Sequence, residues 1–532
     1  MNLCLCVLRK TENILDDCSY ACLTHIFDDK MLQKLLGVRL FDSNLKATLI
    51  GCLVFLIAHW IRRWRRTSRH LPPGPRRLPL IGTVHRTGLK LDMETMTSLA
   101  KTYGGVMTIY LFSKPCVVLS SLESFEEAML GRNDFAFKGL QEKYGSQVIN
   151  PHGKGIFYRE FGREQTRVRN TAISALRSMG VGKRQMETAI SEETSEMISK
   201  IQADTDFDPT TLVHSAVANI TLRILLDERM DYDDPTFQEL QNKVRVNLQE
   251  IMWLVTVNNL PFARHFEPVK SGFGRWVRAN REVLTHVTEK VTDLMTAESV
   301  DGNFVSRFVR TLYGDSGRKD ASNVDTQEVC HVVNDLFNGG FETTSTSIRW
   351  TLVYLANHQD VQQKLHDEIA RVVGTETPVT LAHKRDLHYL QAVVWEVQRC
   401  CCLLPIMPRM SDPNKETRLS KYLIPKATTV FLNIHSVHMN EKKWGDPRVF
   451  HPERFLDDKG QFVKSKHVIP FSMGKRSCTG EVLAKQELYF FTALIFQRLQ
   501  ILPGRDVRID EEPMVGGTLC PKPFTIKAVE RR

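Results

Sequence analysis

The chain has 532 residues, of which 42% are hydrophobic and 25% are charged, and its net charge at pH 7 is +10. This is the composition of a globular protein with a large core. The excess of basic residues is too small to indicate nucleic-acid binding, and no basic stripe or zinc-finger spacing supports it. The twelve cysteines do not resemble the disulfide framework of a small secreted domain, so we expect a reduced, cytosol-facing protein.

The first part of the chain predicts an N-terminal extension and a membrane anchor. Residues 1–45 are mixed in charge, unlike a mitochondrial transit peptide, and form an extension of unknown role. Residues 46–66 contain an uncharged apolar run followed by the basic cluster RRWRR. Basic residues on one side of an apolar segment mark its cytosolic end. A cleaved signal peptide or a buried core helix is the alternative, although a signal peptide begins close to the first Met.

Residues 67–82 predict a proline-rich hinge, because LPPGPRRLPLIG holds four prolines in twelve residues. An ordinary loop is the alternative. Residues 83–532 show no repeat and no low-complexity linker, so we expect one large domain there. Helical patterns dominate it, and β-like runs such as VVLS (117–120) and ATTVFLNI (427–434) are few. The expected fold class is mainly α with small β-sheets.

A long helix is predicted through the middle of this domain. Asp325 and Glu328 provide a capping pattern, and apolar residues then recur at helical spacing for about thirty residues. The segment GGFETT (339–344) lies at its centre. One interpretation is a flat binding surface beside a proton-handling pair, Glu342 and Thr343. The other is a tight crossing between helices, which glycines also permit.

One cysteine lies directly before an apolar helical stretch. Cys478 follows Lys475 and Arg476, and a helix pattern begins after Gly480. Unpaired N–H groups at a helix N-terminus and nearby basic residues stabilise a thiolate. Such a thiolate suits a redox nucleophile or a metal ligand, while a structural cysteine is the third possibility.

The spacing around Cys478 resembles a known family signature. FSMGKRSCTG (471–480) follows the pattern F-x-x-G-x-R-x-C-x-G, which is similar to the haem-binding loop of the cytochrome P-450 superfamily. Further motifs agree in order: LPPGP, GGFETT, EVQR (396–399) and PERF (452–455). The resemblance covers about residues 45–530. Segments 207–220, 422–438 and 450–462 are similar to the animal microsomal branch, which holds xenobiotic and fatty-acid oxidases and steroid 17-alpha-hydroxylases.

The resemblance implies a cytochrome P-450 fold that holds haem b. Cys478 is then the axial thiolate and metal ligand, which favours O–O cleavage. The positions that match those pairing with the haem propionates are Arg169, Arg409 and Arg476.

The resemblance also assigns proton handling and a structural network. Thr343 and Glu342 match the catalytic pair that delivers protons. Glu396, Arg399 and Arg454 match a buried network that holds the cysteine loop.

The implied activity is a haem-thiolate monooxygenase that inserts one atom of O2 into a lipophilic substrate such as a steroid, fatty acid or xenobiotic. The chain lacks a dinucleotide fingerprint, so electrons from NADPH are expected through a partner, NADPH-cytochrome reductase, with cytochrome b5 as a second candidate. The expected location is the endoplasmic reticulum membrane, with the catalytic domain facing the cytosol and a basic docking face that includes Lys475. A haem-thiolate isomerase or dehydratase without a reductase, or a non-catalytic haem or lipid binder, is the alternative.

Two positions depart from the family pattern. Gln165 occupies the place of a Trp that precedes a propionate-binding Arg by four residues, which alters one expected propionate contact. Thr479 replaces a small or branched apolar residue beside the cysteine, where its hydroxyl is expected to influence the sulfur and its redox potential.

Overall fold

The structure is a computed structural model that describes residues 51, 70–88, 91–137, 146–296, 302–319, 324–505 and 507–531. The predicted extension and, apart from Gly51, the predicted anchor over 46–66 lie outside the described residues. Within the described residues, no helix has the combined length and apolar character required to span a membrane. The chain divides into two units, residues 1–71 and 72–532, and every element below belongs to the second.

Helices dominate the second unit, in agreement with the predicted fold class. Their bounds, in chain order, are α1 Val84–Thr87, α2 Met93–Tyr103, α3 Leu122–Met129, α4 Arg163–Ser178, α5 Arg184–Ser199, α6 Thr210–Leu226, α7 Pro235–Glu250, α8 Met252–Asn259, α9 Val269–Thr296, α10 Phe304–Lys319 (interrupted at Gly314), α11 Thr326–Asn357, α12 Gln359–Val372, α13 His388–Cys401, α14 Ile434–His438, α15 Glu441–Trp444 and α16 Glu481–Arg498.

The strands form small sheets at the edges of the helical body. Their bounds are β1 Val106–Leu111, β2 Lys114–Leu119, β3 Asp206–Phe207, β4 Ile406–Met410, β5 Thr417–Leu419, β6 Tyr422–Ile424, β7 Thr429–Asn433, β8 Leu499–Pro503, β9 Pro513–Val515, β10 Leu519–Pro521 and β11 Ile526–Glu530. The largest sheet has the order β1-β2-β7-β4, with β2 and β7 parallel and the other neighbours antiparallel. The others are β3-β11-β8 and the pairs β5-β6 and β9-β10. The strands predicted at 117–120 and 427–434 are therefore confirmed as parts of β2 and β7.

The predicted central helix is α11, which has 32 residues and is about 48 Å long. The carboxylate of Asp325 accepts a hydrogen bond of 3.2 Å from the N–H of Glu328, as expected for an N-cap. Helices α6, α9, α13 and α16 pack against α11. Trp350 and Phe337 of α11 are each 1% exposed, so this helix runs through the middle of the core.

Helix α16 follows the cysteine segment and is a second core helix. Its residues 486–497 are buried without interruption, as expected for a helix that is apolar on nearly all faces. It packs against α5, α11, α12 and α13. The cysteine segment that precedes α16 is thus attached to a rigid core element.

The proline-rich segment after residue 71 contains no helix up to Thr83. The carbonyl of Pro73 accepts a hydrogen bond of 2.9 Å from the N–H of Thr108 on β1. A Cβ atom at Gly74 would lie 1.8 Å from the carbonyl oxygen of Thr108. Only glycine allows this approach, and the segment therefore lies directly against β1.

Candidate active site

The cysteine loop, residues 471–480, is held in shape by its own backbone and by α3. The N–H of Cys478 donates a hydrogen bond of 2.9 Å to the carbonyl of Phe471. Gly474 has a φ of +76°, and a Cβ there would lie 2.3 Å from the carbonyl oxygen of Met129 at the end of α3. A 3-10 turn over Gly474–Arg476 then leads into Cys478. The glycine is required both for its conformation and for this close approach.

Cys478 is a free, exposed cysteine. Although its sulfur borders open space, the protein atoms packed around it limit its hydration, and this raises the pKa of the thiol. The N–H of Gly480 and the charges of Arg169 and Lys485 act in the opposite direction. Of the two basic residues that the sequence interpretation named beside the thiolate, Arg476 makes its hydrogen bonds elsewhere. That guanidinium donates instead to backbone carbonyls of the loop that precedes α4. A metal ion would have to supply the stabilisation of the thiolate.

Three arginines that are distant in sequence meet around this loop. Arg169 of α4 donates to the carbonyl of Ser477 at 2.9 Å. Arg409 of β4 donates to the carbonyl of Arg476 at 3.2 Å. The guanidinium of Arg476 donates to the carbonyls of Ala136, Ile156 and Arg159 at 3.1, 3.0 and 2.5 Å. The structure therefore brings together all three arginines that the sequence analysis assigned to one anion-binding role.

Among the residues that the structure describes, no carboxylate lies within ion-pair distance of Arg169, Arg409 or Arg476, although Glu160 and Asp335 act on Arg476 from farther away. The Nε of Arg409 is buried and has no hydrogen-bond partner there. Burial, with the like charge of Arg476, lowers the pKa of Arg409 to about 10, and burial lowers that of Arg476 to about 10. Buried cations without a counter-charge in ion-pair contact are costly. The cluster fits a ligand that carries carboxylates and whose metal ion takes a thiolate, so the residues present fit haem.

Open space adjoins the middle of α11. Gly339 is exposed, and a Cβ built on it would have no neighbouring atom within 4 Å. The hydroxyl of Thr343 donates to the carbonyl of Gly339 at 2.7 Å and is half-buried. This is the flat surface that the GGFETT segment predicts. A helix crossing lies on Gly340 instead, where a Cβ would approach Thr221 of α6 to 3.4 Å.

Glu342 does not share this surface with Thr343. Its side chain is 1% exposed, and its Oε2 lies 3.7 Å from Nε2 of His214 on α6. Its Oε1 accepts a hydrogen bond of 3.2 Å from Thr346. Burial raises the pKa of Glu342 from its ordinary value of 4.5 to about 7. The adjacent pair in the sequence is thus divided between two faces of α11.

The predicted buried network forms around Glu396. Its carboxylate receives hydrogen bonds of 2.7 and 2.8 Å from Arg399 and one of 3.0 Å from Arg454. Both Glu396 and Arg399 side chains are 0% exposed. The N–H of His451 adds a bond of 2.9 Å to the same carboxylate. This arrangement joins α13 to the PERF segment, with the guanidinium groups of Arg399 and Arg454 sharing one carboxylate.

His438 connects this network to the cysteine loop, and the sequence analysis missed it. Its carbonyl accepts a hydrogen bond of 2.9 Å from Arg399. Its Nε2 accepts one of 2.9 Å from the N–H of Ile469, two residues before the loop begins. Burial lowers the pKa of His438 to about 3, so the imidazole stays neutral and remains an acceptor. A histidine ending a short helix gives no sequence signal for this role.

A chain of amide side chains joins α7, α9 and α11, and the sequence analysis missed it as well. Asn280 of α9 donates to Asn247 of α7 at 2.6 Å, and Asn247 donates to Asn338 of α11 at 2.9 Å. Asn338 in turn donates to the carbonyl of Asn334 at 2.8 Å. These amides make part of the face of α11 that precedes Glu342 polar, although their hydrogen bonds are made among themselves.

The two departures from the family pattern have defined surroundings. Gln165 is 1% exposed, and both polar atoms of its amide are buried without a hydrogen-bond partner in the described structure. It lies one turn before Arg169 on α4. Thr479 is half-buried, and no hydrogen bond joins its hydroxyl to Cys478 within the described part of the chain.

Comparisons with known proteins agree with this site. The model of the family "Cytochrome P450" matches residues 72–528. Cytochrome P450 2C44 of Mus musculus is 33% identical over 493 residues, which cover 90% of this chain and 96% of that protein. Cytochrome P450 2C23 of Rattus norvegicus is 32% identical, and the match covers 91% of this chain and 97% of that protein. Cytochrome P450 2J2 of Homo sapiens is 29% identical, and the match covers 91% of this chain and 96% of that protein. The chain therefore belongs to the cytochrome P450 family of monooxygenases, which use haem with an axial cysteine thiolate.

Proposed function

We propose that this monooxygenase oxidises a lipophilic small molecule, a steroid, a fatty acid or a foreign compound, at the endoplasmic reticulum membrane. Electrons come from NADPH through a flavoprotein reductase, and cytochrome b5 is a second candidate partner. The resemblance of segments 207–220, 422–438 and 450–462 to the animal microsomal branch supports this proposal. The anchor predicted over 46–66 would tether the domain to the membrane with its catalytic part in the cytosol.

One observation carries the assignment of the cofactor site. Arg169, Arg409 and Arg476 converge beside an accessible Cys478, and none has a carboxylate partner among the described residues. We assign the propionates of haem to these arginines and its iron to Cys478, because charge-assisted bonds between Arg and carboxylate are strong. The Glu396 network and His438 hold the loop that carries this ligand.

The bound haem would supply the activation of dioxygen, which electron donation from the thiolate favours. The residues of the chain would position the substrate and move protons. Thr343 exposes its hydroxyl beside the open surface at Gly339, where the hydroxyl can hold and release a proton. Glu342 is buried on the other face of α11 and keeps its proton up to about pH 7. We assign it the supply of protons to Thr343, which requires its carboxyl group to turn toward the open surface at Gly339.

The reductase would dock on the side of the cysteine loop. Lys475 is exposed there, and basic surface residues accelerate association with an acidic partner in a salt-dependent way. Charge reversal at Lys475 is expected to slow electron transfer and to weaken its dependence on salt. Unchanged transfer rates would refute this docking face and leave the cofactor site untouched.

Product formation from a lipophilic substrate panel under ¹⁸O₂ tests the function directly. We expect product that contains one labelled oxygen atom and that requires both NADPH and the reductase. Product formed without the reductase would favour an isomerase or dehydratase instead. Haem or lipid binding without product from a broad panel would favour a non-catalytic binder. Thr343→Ala is expected to consume NADPH with less product, whereas Thr311→Ala, on an exposed turn of α10, is the matched control.

A further inference from the structure

Two buried polar atoms without partners face each other between α6 and α11. The Nε2 of His214 lies 3.7 Å from Oε2 of Glu342, and the two side chains are 5% and 1% exposed. Neither atom has a hydrogen-bond partner in the part of the chain that the structure describes. A buried polar atom without a partner destabilises the fold. A small rotation of either side chain would join the two atoms and satisfy both.

The surroundings fix which atoms can meet. The Oε1 of Glu342 is already engaged by the hydroxyl of Thr346 at 3.2 Å and lies 3.9 Å from Sγ of Cys520 on β10. Only Oε2 is left to face α6. On the other side, the ring of Phe341 meets the imidazole of His214 edge to face, with 5.5 Å between ring centroids. The imidazole and the carboxyl group are therefore aimed at each other.

Burial keeps His214 neutral at pH 7 and keeps the carboxyl group of Glu342 protonated up to about pH 7. Burial, together with the charges of Arg349 and Arg245, lowers the pKa of His214 to about 3. Burial raises the pKa of Glu342 to about 7, against the effect of the same two arginines. Burial also raises the pKa of the Cys520 thiol, which stays protonated, and Asp208 faces Arg349. The pair thus holds one acidic proton, on the carboxyl group, opposite one basic nitrogen.

We propose that Nε2 of His214 accepts a hydrogen bond from the protonated Oε2 of Glu342, and that His214 thereby positions the proton donor of the reaction. His214 gains no proton in this arrangement. When Glu342 donates, its O–H bond breaks, and a proton from water restores it before the carboxyl group returns to His214. His214 is a positioning residue, because it acts only through Glu342. The catalytic part of this inference rests on the proposed role of Glu342.

The direction of the expected pKa shift follows from the proposal that Glu342 donates the hydrogen bond. A hydrogen bond to the neutral acid stabilises the protonated form, so removal of the acceptor lowers the pKa of Glu342. We expect a shift of about one pH unit in His214→Phe, since a hydrogen bond of ordinary strength changes a proton affinity about tenfold. His214→Gln retains an acceptor oxygen and is expected to restore most of the shift.

Infrared spectroscopy of the full haem-loaded protein measures this without turnover. The carbonyl band of protonated Glu342 is the band that Glu342→Gln removes, and Glu487→Gln identifies the band of another buried acid. The pH midpoint of the Glu342 band is expected near 7 in the parent chain and about one unit lower in His214→Phe. His286→Phe, on α9, is the matched control and is expected to leave the midpoint in place. An unchanged or higher midpoint in His214→Phe would overturn the inference.

The pH profile of product formed per NADPH separates the inference from the proposed function. Its alkaline limb is expected to move with the infrared midpoint in His214→Phe, and to show no further shift when His214→Phe is added to Glu342→Gln. A midpoint that moves while the profile stays would support the His214–Glu342 bond and refute the proposed role of Glu342. A midpoint that does not move would refute the bond and leave the monooxygenase function standing.

Discussion

The carbonyl of His438 accepts a hydrogen bond of 2.9 Å from Nη1 of Arg399. The imidazole of the same histidine accepts a hydrogen bond from the N–H of Ile469. One residue therefore links the buried ion pair of α13 to the segment that leads into the cysteine loop. This link explains how a network that does not touch Cys478 can hold its loop in place.

Replacement of His438 by Leu is expected to destabilise the protein by about 1–3 kcal/mol, because the N–H of Ile469 loses its buried acceptor. The urea midpoint and the rate of haem loss measure this. His438→Gln, which keeps an acceptor, is the control and is expected to retain part of the stability. Equal behaviour of the two variants would show that the hydrogen bond to Ile469 is unimportant.

The same histidine is expected to make the stability of the protein depend on pH. Its folded pKa of about 3 lies below the ordinary value of 6.5, so its stabilising contribution is present above pH 6.5 and is lost as the pH falls toward 3. His438→Gln is expected to lose less stability than the parent chain between pH 6.5 and 4. A thermal-unfolding series over that range tests the sign, and a steeper loss in the variant would contradict it.

Removal of Glu396 is expected to cost about 3–5 kcal/mol, because it leaves a fully buried Arg399 without its counter-charge. Glu441→Ala breaks the exposed ion pair between Glu441 and Lys101, whose side chains are 64% and 61% exposed, and is expected to cost much less because solvent screens such pairs. Denaturant unfolding compares the two. Similar losses in both variants would refute a special role for the buried network.

Arg409→Leu is expected to release haem at least about tenfold faster, since it removes a charge-assisted bond to a carboxylate. Arg385→Leu is the matched control, because its side chain is 85% exposed and pairs with Asp386. Transfer of haem to an excess of a scavenging protein gives the rate. An unchanged rate in Arg409→Leu would exclude Arg409 from the propionate site.

Glu487 of α16 is expected to cause a second pH dependence of stability, opposite in sign to that of His438. Burial raises its pKa from 4.5 to about 8, so its contribution to stability is present below pH 4.5 and is lost as the pH rises toward 8. One pKa unit corresponds to about 1.4 kcal/mol, and Glu487→Gln is expected to flatten the alkaline loss. Thermal unfolding between pH 5 and 8.5 checks this, and an equally steep loss in the variant would contradict it.

The parts of the site that lie close in sequence could be predicted. The cysteine loop, the cap at Asp325 and the pair of Glu396 and Arg399 each depend on spacings of a few residues, which local patterns record. Two of the strands, β2 and β7, could be predicted for the same reason. Helix period alone, however, did not reveal that Glu342 and Thr343 face different sides of α11, because the neighbouring helices decide which side is buried.

The parts that depend on distant residues could not be predicted. The direction of the Arg476 side chain is set by carbonyls more than 300 residues earlier in the chain. His214 meets Glu342, and His438 meets Ile469, through the packing of separate helices and loops. Polar residues in such contacts leave no periodic signal, so their partners emerge only from the tertiary structure.

The central claim is that Cys478 provides the thiolate ligand of a bound haem, and the absorption spectrum of the reduced protein with carbon monoxide tests it most directly. We predict the long-wavelength Soret band of a thiolate-ligated haem, its loss in Cys478→Ser, and its retention in Cys116→Ala, which alters a buried cysteine of β2. A parent chain that binds haem without this band, or a Cys478→Ser variant that keeps it, would contradict the account.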